Sequence, residues 1–91
     1  MKKNQYLYPA IFVKSEGGSY QVLFPDLGIY TDGSNLSEAY VYAKALLKAY
    51  FTYVVKYDTE FNQPSKLEKF AAKCKENEIV MFVDAVIDVK E

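Results

Sequence analysis

From Tyr6 to Lys14 the chain runs through mostly aromatic and branched residues, Ser15-Glu16-Gly17-Gly18-Ser19 interrupts it with turn formers, and Tyr20 to Phe24 resumes it. That succession predicts a β-hairpin. Tyr20, Val22 and Phe24 alternate with Gln21 and Leu23, which assigns the first set to a core and the second to the outside. Pro9 has no N–H for a ladder, so it must sit at the strand's start, at a bulge, or with its nitrogen turned away from a neighbour. Pro25-Asp26-Leu27-Gly28 reads as a turn, Ile29 to Thr31 as a short third strand, and Asp32-Gly33 as another turn. The result is a three-stranded antiparallel meander.

The period then changes. Asn35 followed by Glu38 matches a capping box, and Leu36, Ala39, Tyr40, Ala43, Leu47, Tyr50 and Val54 recur on one helical stripe. A helix to about Lys56 should pack that stripe on the sheet. Tyr42, Leu46 and Tyr53 fall on one shoulder of the stripe and Phe51 on the other, leaving Lys44, Lys48, Thr52 and Lys56 for solvent. So broad an apolar face leaves two readings open: the following segment covers the shoulder, or a partner does. Asp58 to Pro64 is a polar connection, and Ser65-Lys66-Leu67-Glu68 repeats the capping-box pattern for a short second helix ending near Lys75. Ile79 to Val89 reads as a strand apolar on both faces, interrupted by Asp84 and Asp88. A strand after a helical crossover commonly lies parallel to an earlier one, and the first strand is the expected neighbour. The fold class is α+β, in the order β-β-β-α-α-β.

Composition narrows the functions. At 91 residues the chain can support a single core, so residues 1–91 are read as one domain. Eleven basic against twelve acidic residues, net charge −1, provide no electrostatic footprint for a phosphate backbone, so direct nucleic-acid binding is not expected. Cys74 stands alone, which excludes an intramolecular disulfide and agrees with a reducing compartment; it reads as a small apolar residue on the short second helix. No apolar run reaches the roughly twenty residues that span a bilayer, and the N-terminus leads into a strand pattern. A cytoplasmic protein without a membrane partner is expected.

Candidate chemistry is sparse. The chain has no histidine, which removes the usual general base, catalytic triad and transition-metal ligand together. Gly17-Gly18 belongs to a hairpin, and Gly28 and Gly33 are too isolated to cradle a pyrophosphate. Asp26, Asp32, Glu38 and Asp84 could gather a divalent cation, but each has a local role that fits better: turns for Asp26 and Asp32, a helix cap for Glu38, an outer strand face for Asp84. No catalytic, cofactor or metal residue is therefore assigned. Of the nine tyrosines, Tyr40 and Tyr50 have a core explanation, whereas Tyr6, Tyr30, Tyr42, Tyr53 and Tyr57 offer the amphipathic area enriched at interfaces.

Tyr8-Pro9-Ala10-Ile11-Phe12, Gly18 through Leu27 with its Phe24-Pro25-Asp26-Leu27 ending, and Gly33-Ser34-Asn35-Leu36-Ser37-Glu38-Ala39 together resemble the HicB antitoxin family. The match is good over the first half and looser over Ile79 to Asp84. The resemblance implies a partial RNase H-like fold and an antitoxin that binds a small RNA-cleaving HicA-type toxin and blocks its active surface. It implies no nuclease activity, in agreement with a first strand that lacks the carboxylate such a site would place there. The family's usual Pro-Gly-Cys after the Phe-Pro-Asp-Leu run is shortened here to Gly28-Ile29-Tyr30. Many members also carry a C-terminal DNA-binding segment, and with Glu91 as the last residue none is expected here.

One helix layer covers one sheet face. The outward positions Leu7, Ile11, Val13 and Leu23 therefore predict association through the sheet face into a homodimer or higher oligomer. A second surface, combining Tyr42 and Tyr53 with Glu16, Asp58 and Glu60, is the candidate contact for a basic toxin. The rival reading is an orphan HicB-like domain serving as a structural or small-ligand-binding oligomerisation module. A basic toxin-sized reading frame beside the gene would distinguish the two.

Overall fold

The computed structural model describes residues 2–89. Strands β1 (Lys2–Lys14), β2 (Tyr20–Phe24) and β3 (Ile29–Gly33) form the expected meander, followed by helix α1 (Leu36–Tyr57), the short helix α2 (Leu67–Ala71) and β4 (Glu78–Val89). The sheet order is β3-β2-β1-β4, so β4 does lie beside β1. Asp32 and Gly33, expected in a turn, extend β3 instead, pairing with Gln21 and Tyr20.

β4 runs antiparallel to β1, from Val13 opposite Glu78 to Lys2 opposite Val89, and not parallel as the crossover rule suggested. The reason is that the crossover travels twice along the sheet. Helix α1 leaves the Gly33 end and descends; the following segment meets Asp26 at the opposite end through Ser65, then climbs until Asn77 meets Lys14, whose N–H donates to the Asn77 carbonyl at 2.7 Å. A chain returned to its starting end can only descend again. The parallel rule assumes a single helical pass.

Local chemistry fixes both ends of α1. The Glu38 N–H donates to Asn35 Oδ1 at 2.9 Å, and the Ser34 N–H donates to Glu38 Oε1 at 3.1 Å. At the other end Asp58 adopts a left-handed conformation (φ 51°) that stops the helix. Pro9 is accommodated because it lies beyond the last β2 partner, Leu23 opposite Ile11, so its missing N–H takes nothing from the β1–β2 ladder.

The second capping box is not made. Ser65 turns to the β2–β3 turn, its N–H and hydroxyl donating to the Asp26 carboxylate at 2.8 and 2.6 Å. Helix α2 consequently starts from Lys66 without a side-chain cap and ends at Ala71, short of Lys75. Cys74 lies past the helix, exposed, with its thiol donating to the Glu78 carbonyl at 3.0 Å.

The core lies between α1 and one sheet face. Tyr8, Ala10 and Phe12 of β1, Val22 and Phe24 of β2 and Val83, Ala85 and Ile87 of β4 pack against Ala39, Ala43, Leu47, Phe51 and Val54. Phe51, placed on a shoulder by helical geometry, is fully buried because the connection after α1 closes over it: Phe61 meets it edge-on, and Tyr6 stacks on it at 3.8 Å. That side of the helix is covered by the following segment. On the other shoulder Leu46 is half-buried, while Tyr42 and Tyr53 remain exposed.

Candidate protein-binding surfaces

Strand alternation puts the even-numbered residues of β1 under α1 and the odd ones on the opposite face. Leu7, Ile11 and Val13 are joined there by Leu23, Tyr30, Val80, Phe82 and Val86, in the register Ile11 opposite both Leu23 and Val80. Leu7, Leu23, Phe82 and Val86 each keep between 40% and 46% of their surface exposed. Ile11 and Val13 are half-buried by these neighbours. An apolar face of this kind marks an association surface more often than a solvated one. Among the described residues its one paired charge is Asp84, 3.2 Å from Lys44 of α1; both are partly exposed, and such pairs contribute little.

Towards β3 the same face changes character. Val13, Gln21, Leu23, Tyr30 and Asp32 line an open groove of about 550 Å³. Tyr30 keeps 78% of its surface exposed, the most among the large apolar and aromatic side chains left in solvent. Gln21 and Asp32 also line an adjoining, more polar groove that reaches Glu38 and Tyr42 at the start of α1.

The outer side of α1 forms another shallow surface. Tyr53 and Tyr57 lie with ring centres 4.7 Å apart, beside Ala45, Ala49, Lys48 and Lys56. Lys56 Nζ already sits 5.4 Å from the Tyr57 ring centre. This surface is tyrosine-rich and basic.

The five residues expected to form one partner contact are not brought together. Glu16 sits in the β1–β2 hairpin, at the end where α1 begins, whereas Asp58 and Glu60 follow the helix's far end. The helix between them has 22 residues, which at about 1.5 Å per residue is roughly 33 Å. Tyr42 belongs to the Glu16 end and Tyr53 to the Asp58 end.

The carboxylates considered for a cation are likewise dispersed. Asp26 holds Ser65, Glu38 accepts from Ser34, Asp84 meets Lys44, and Asp32 faces solvent at the β3 edge. Among the described residues no group of three or more His, Cys, Asp or Glu is placed to hold a metal ion. Among the described residues Tyr8 is the strongly perturbed acid. Burial, assisted by the nearby Asp26 charge, pushes its hydroxyl up to about 12, and it donates to the Asn62 carbonyl at 2.6 Å. That group is a structural clasp, since it is buried and its hydrogen is already committed.

Two candidates for a protein contact, Asp32 and Gln21, are not legible as such in the sequence, which offers Asp32 only as a possible cation ligand. Asp32 was hidden by its assignment to a turn, and Gln21 by its ordinary role as an outward strand residue. The available signal was parity: both lie on the outward face with Leu23, and Asp32 pairs directly with Gln21.

Comparison with known proteins agrees with this architecture. The chain superposes on a chain of a toxin–antitoxin complex from Streptococcus pneumoniae with a TM-score of 0.73 and 22% identity, covering 90% of this chain and 69% of the other. At that identity the likeness is one of fold. A search of curated proteins finds no significant match. Residues 8–91 match the family described as HicB-like antitoxin of bacterial toxin–antitoxin systems. With nearly the whole chain matched, and the meander, long helix and final strand in place, the protein belongs to the HicB-like antitoxin family.

Proposed function

We propose that this protein is a cytoplasmic, non-catalytic antitoxin that binds a HicA-type RNA-cleaving toxin and blocks its active surface. The observation that carries the reading is the family match over residues 8–91. The geometry fits a binding role: a single helix layer covers one face of the sheet and leaves the other apolar and open. Inhibition of this kind needs no bond made or broken, only occlusion of the surface on which the toxin would seat RNA. The test is to co-express the chain with the toxin-sized product of the neighbouring gene. Relief of growth arrest together with copurification is the expected outcome; growth arrest unrelieved and no complex would overturn it.

The apolar outer face supports a second element of the proposal, self-association through the β1–β4 half of the sheet. Leu7 and Ile11 lie there beside Phe82, Val80 and Val86. Val13 and Leu23, also expected at this interface, stand at its border with the β3 groove. Light scattering of the purified chain at tens of micromolar tests it. A strict monomer would refute the dimer and leave the antitoxin reading standing.

A further inference from the structure

We infer that the groove at the β2–β3 corner of the open sheet face receives an arginine or lysine side chain of the toxin, held between the Tyr30 ring and the Asp32 carboxylate. The inference rests on the antitoxin reading and names the part of the surface that makes the contact.

The chemistry of the groove is that of a cation site for a long side chain. Val13 and Leu23 supply an apolar wall for the methylene stem of such a residue. Tyr30, 78% exposed, presents an aromatic face to a cation at small desolvation cost. Asp32 supplies the charge, and among the described residues no side chain of the protein engages its carboxylate. This sets it apart from Asp26, Glu38 and Asp84, each held by a partner within the chain. Gln21, directly across the ladder from Asp32, adds an amide acceptor beside it.

Charge complementarity selects the occupant. A protein that seats RNA must present lysine or arginine to the phosphates, so the surface an antitoxin has to cover is positive. Among the described residues, the grooves that meet at Gln21 and Asp32 are lined by the carboxylates of Asp32 and Glu38 and by no lysine. The other tyrosine-rich surface, on α1, fails the same test. Lys48 and Lys56 line it, and Lys56 already lies near the Tyr57 ring, so a basic partner would meet like charge there.

The experiment measures the affinity of the purified protein for the neighbouring gene's product, by calorimetry at two salt concentrations, for the wild type and for Tyr30→Ala, Asp32→Asn, Asp32→Lys and Asp58→Lys. All three positions are exposed, and circular dichroism checks that each variant is folded. Tyr30→Ala and Asp32→Asn should each weaken binding by about 10- to 30-fold, as residues at the energetic centre of an interface do. Asp32→Lys should weaken it by about 100-fold or more, and Asp58→Lys by less than about threefold. The Asp32 variants should also lose part of the salt dependence. Unchanged affinity in Tyr30→Ala and Asp32→Lys would overturn the proposal while wild-type binding keeps the antitoxin reading intact. It would equally be overturned if these variants dissolved a homodimer without weakening toxin binding, since the groove would then belong to a second copy. Absence of binding by the wild type itself is the separate result that removes the antitoxin reading.

Discussion

Gly33→Ala tests how α1 is seated on the sheet. Gly33 is buried at the end of β3, and a Cβ built there would lie 2.6 Å from the Cα of Ala39 and 3.0 Å from its Cβ, with the Ala39 nitrogen closer still. Comfortable carbon contacts begin at about 3.5 Å, so the first turn of α1 would have to retreat by about 1 Å. That turn has little freedom: the Ala39 N–H makes the first helical bond, to the Asn35 carbonyl at 2.9 Å, and Asn35 and Glu38 pin the cap on either side of it. Overpacking a well-filled core costs about 1–3 kcal/mol, and atoms met on a backbone place this case at the upper end, about 3 kcal/mol. For a domain of this size that corresponds to a fall in Tm of about 12–24 °C. Gly28 provides the contrast, because its left-handed φ of 68° has nothing within 4 Å of a new Cβ. Gly28→Ala should therefore cost only the conformational penalty, about 1–2 kcal/mol. Urea denaturation followed at 222 nm separates the two through the midpoint, with the slope unchanged. A Gly33→Ala variant within about 0.5 kcal/mol of wild type, or more stable than Gly28→Ala, would refute the seating of α1 against β3.

Three further perturbations probe the clasp at the other end and the cap. Asp26→Ala removes both acceptors for Ser65 and should cost about 2 kcal/mol, with limited proteolysis cutting within residues 58–66 faster than in the wild type. Asn35→Ala should cost about 1 kcal/mol in urea denaturation, through the freed Glu38 N–H. Tyr8→Phe should cost about 1 kcal/mol at pH 8, but its pH dependence is the sharper test. The Tyr8 hydroxyl titrates at about 12 in the folded protein against 10.0 ordinarily, so the unfolded chain gives up this proton first. Stability from Tyr8 is thus complete below about pH 10 and declines towards pH 12, by up to about 2–3 kcal/mol. The advantage of tyrosine over phenylalanine should vanish near pH 11, and a gap unchanged between pH 8 and 11 would contradict the burial of that hydroxyl.

Much of this fold is legible in the chain because local rules and tertiary packing agree. Alternation places Val22 and Phe24 inside, the Asn35 cap starts α1, and the four-residue spacing of Ala39, Ala43 and Leu47 turns the right stripe to the sheet. The failures come where a local pattern had a tertiary competitor. Ser65 has the right spacing to Glu68 for a cap, yet Asp26, distant in sequence, captures its N–H and hydroxyl together. Phe51 lies off the stripe's centre, but Tyr6 and Phe61 converge on it from elements that helical periodicity cannot see. The orientation of β4 depended on where the crossover ended, which no residue within the strand encodes. The outward apolar face was legible, since parity places Leu7, Ile11, Val13 and Leu23 on it, while Glu16 lies at the opposite end of α1 from Asp58 and Glu60, a separation that residue type alone does not reveal.

The two-faced apolarity of β4 connects the fold to the proposed function. Val83, Ala85 and Ile87 fill the core under α1, and serine or threonine at Val80, Phe82 and Val86 would leave that core untouched. Outward side chains of this size contribute little to folding while they remain half in water, and they add to the hazard of two open sheet edges. A sequence that departs from half-exposed alternation in this way departs from what folding alone favours, and such departures concentrate where a protein works. Beside this apolar ground the β3 corner supplies what an apolar patch lacks, a charge and a ring that distinguish one partner from another. On the proposed reading, apolar area supplies attraction and Asp32 with Tyr30 supplies selectivity for a basic surface, which is the division of labour that occluding an RNA-cleaving toxin would require.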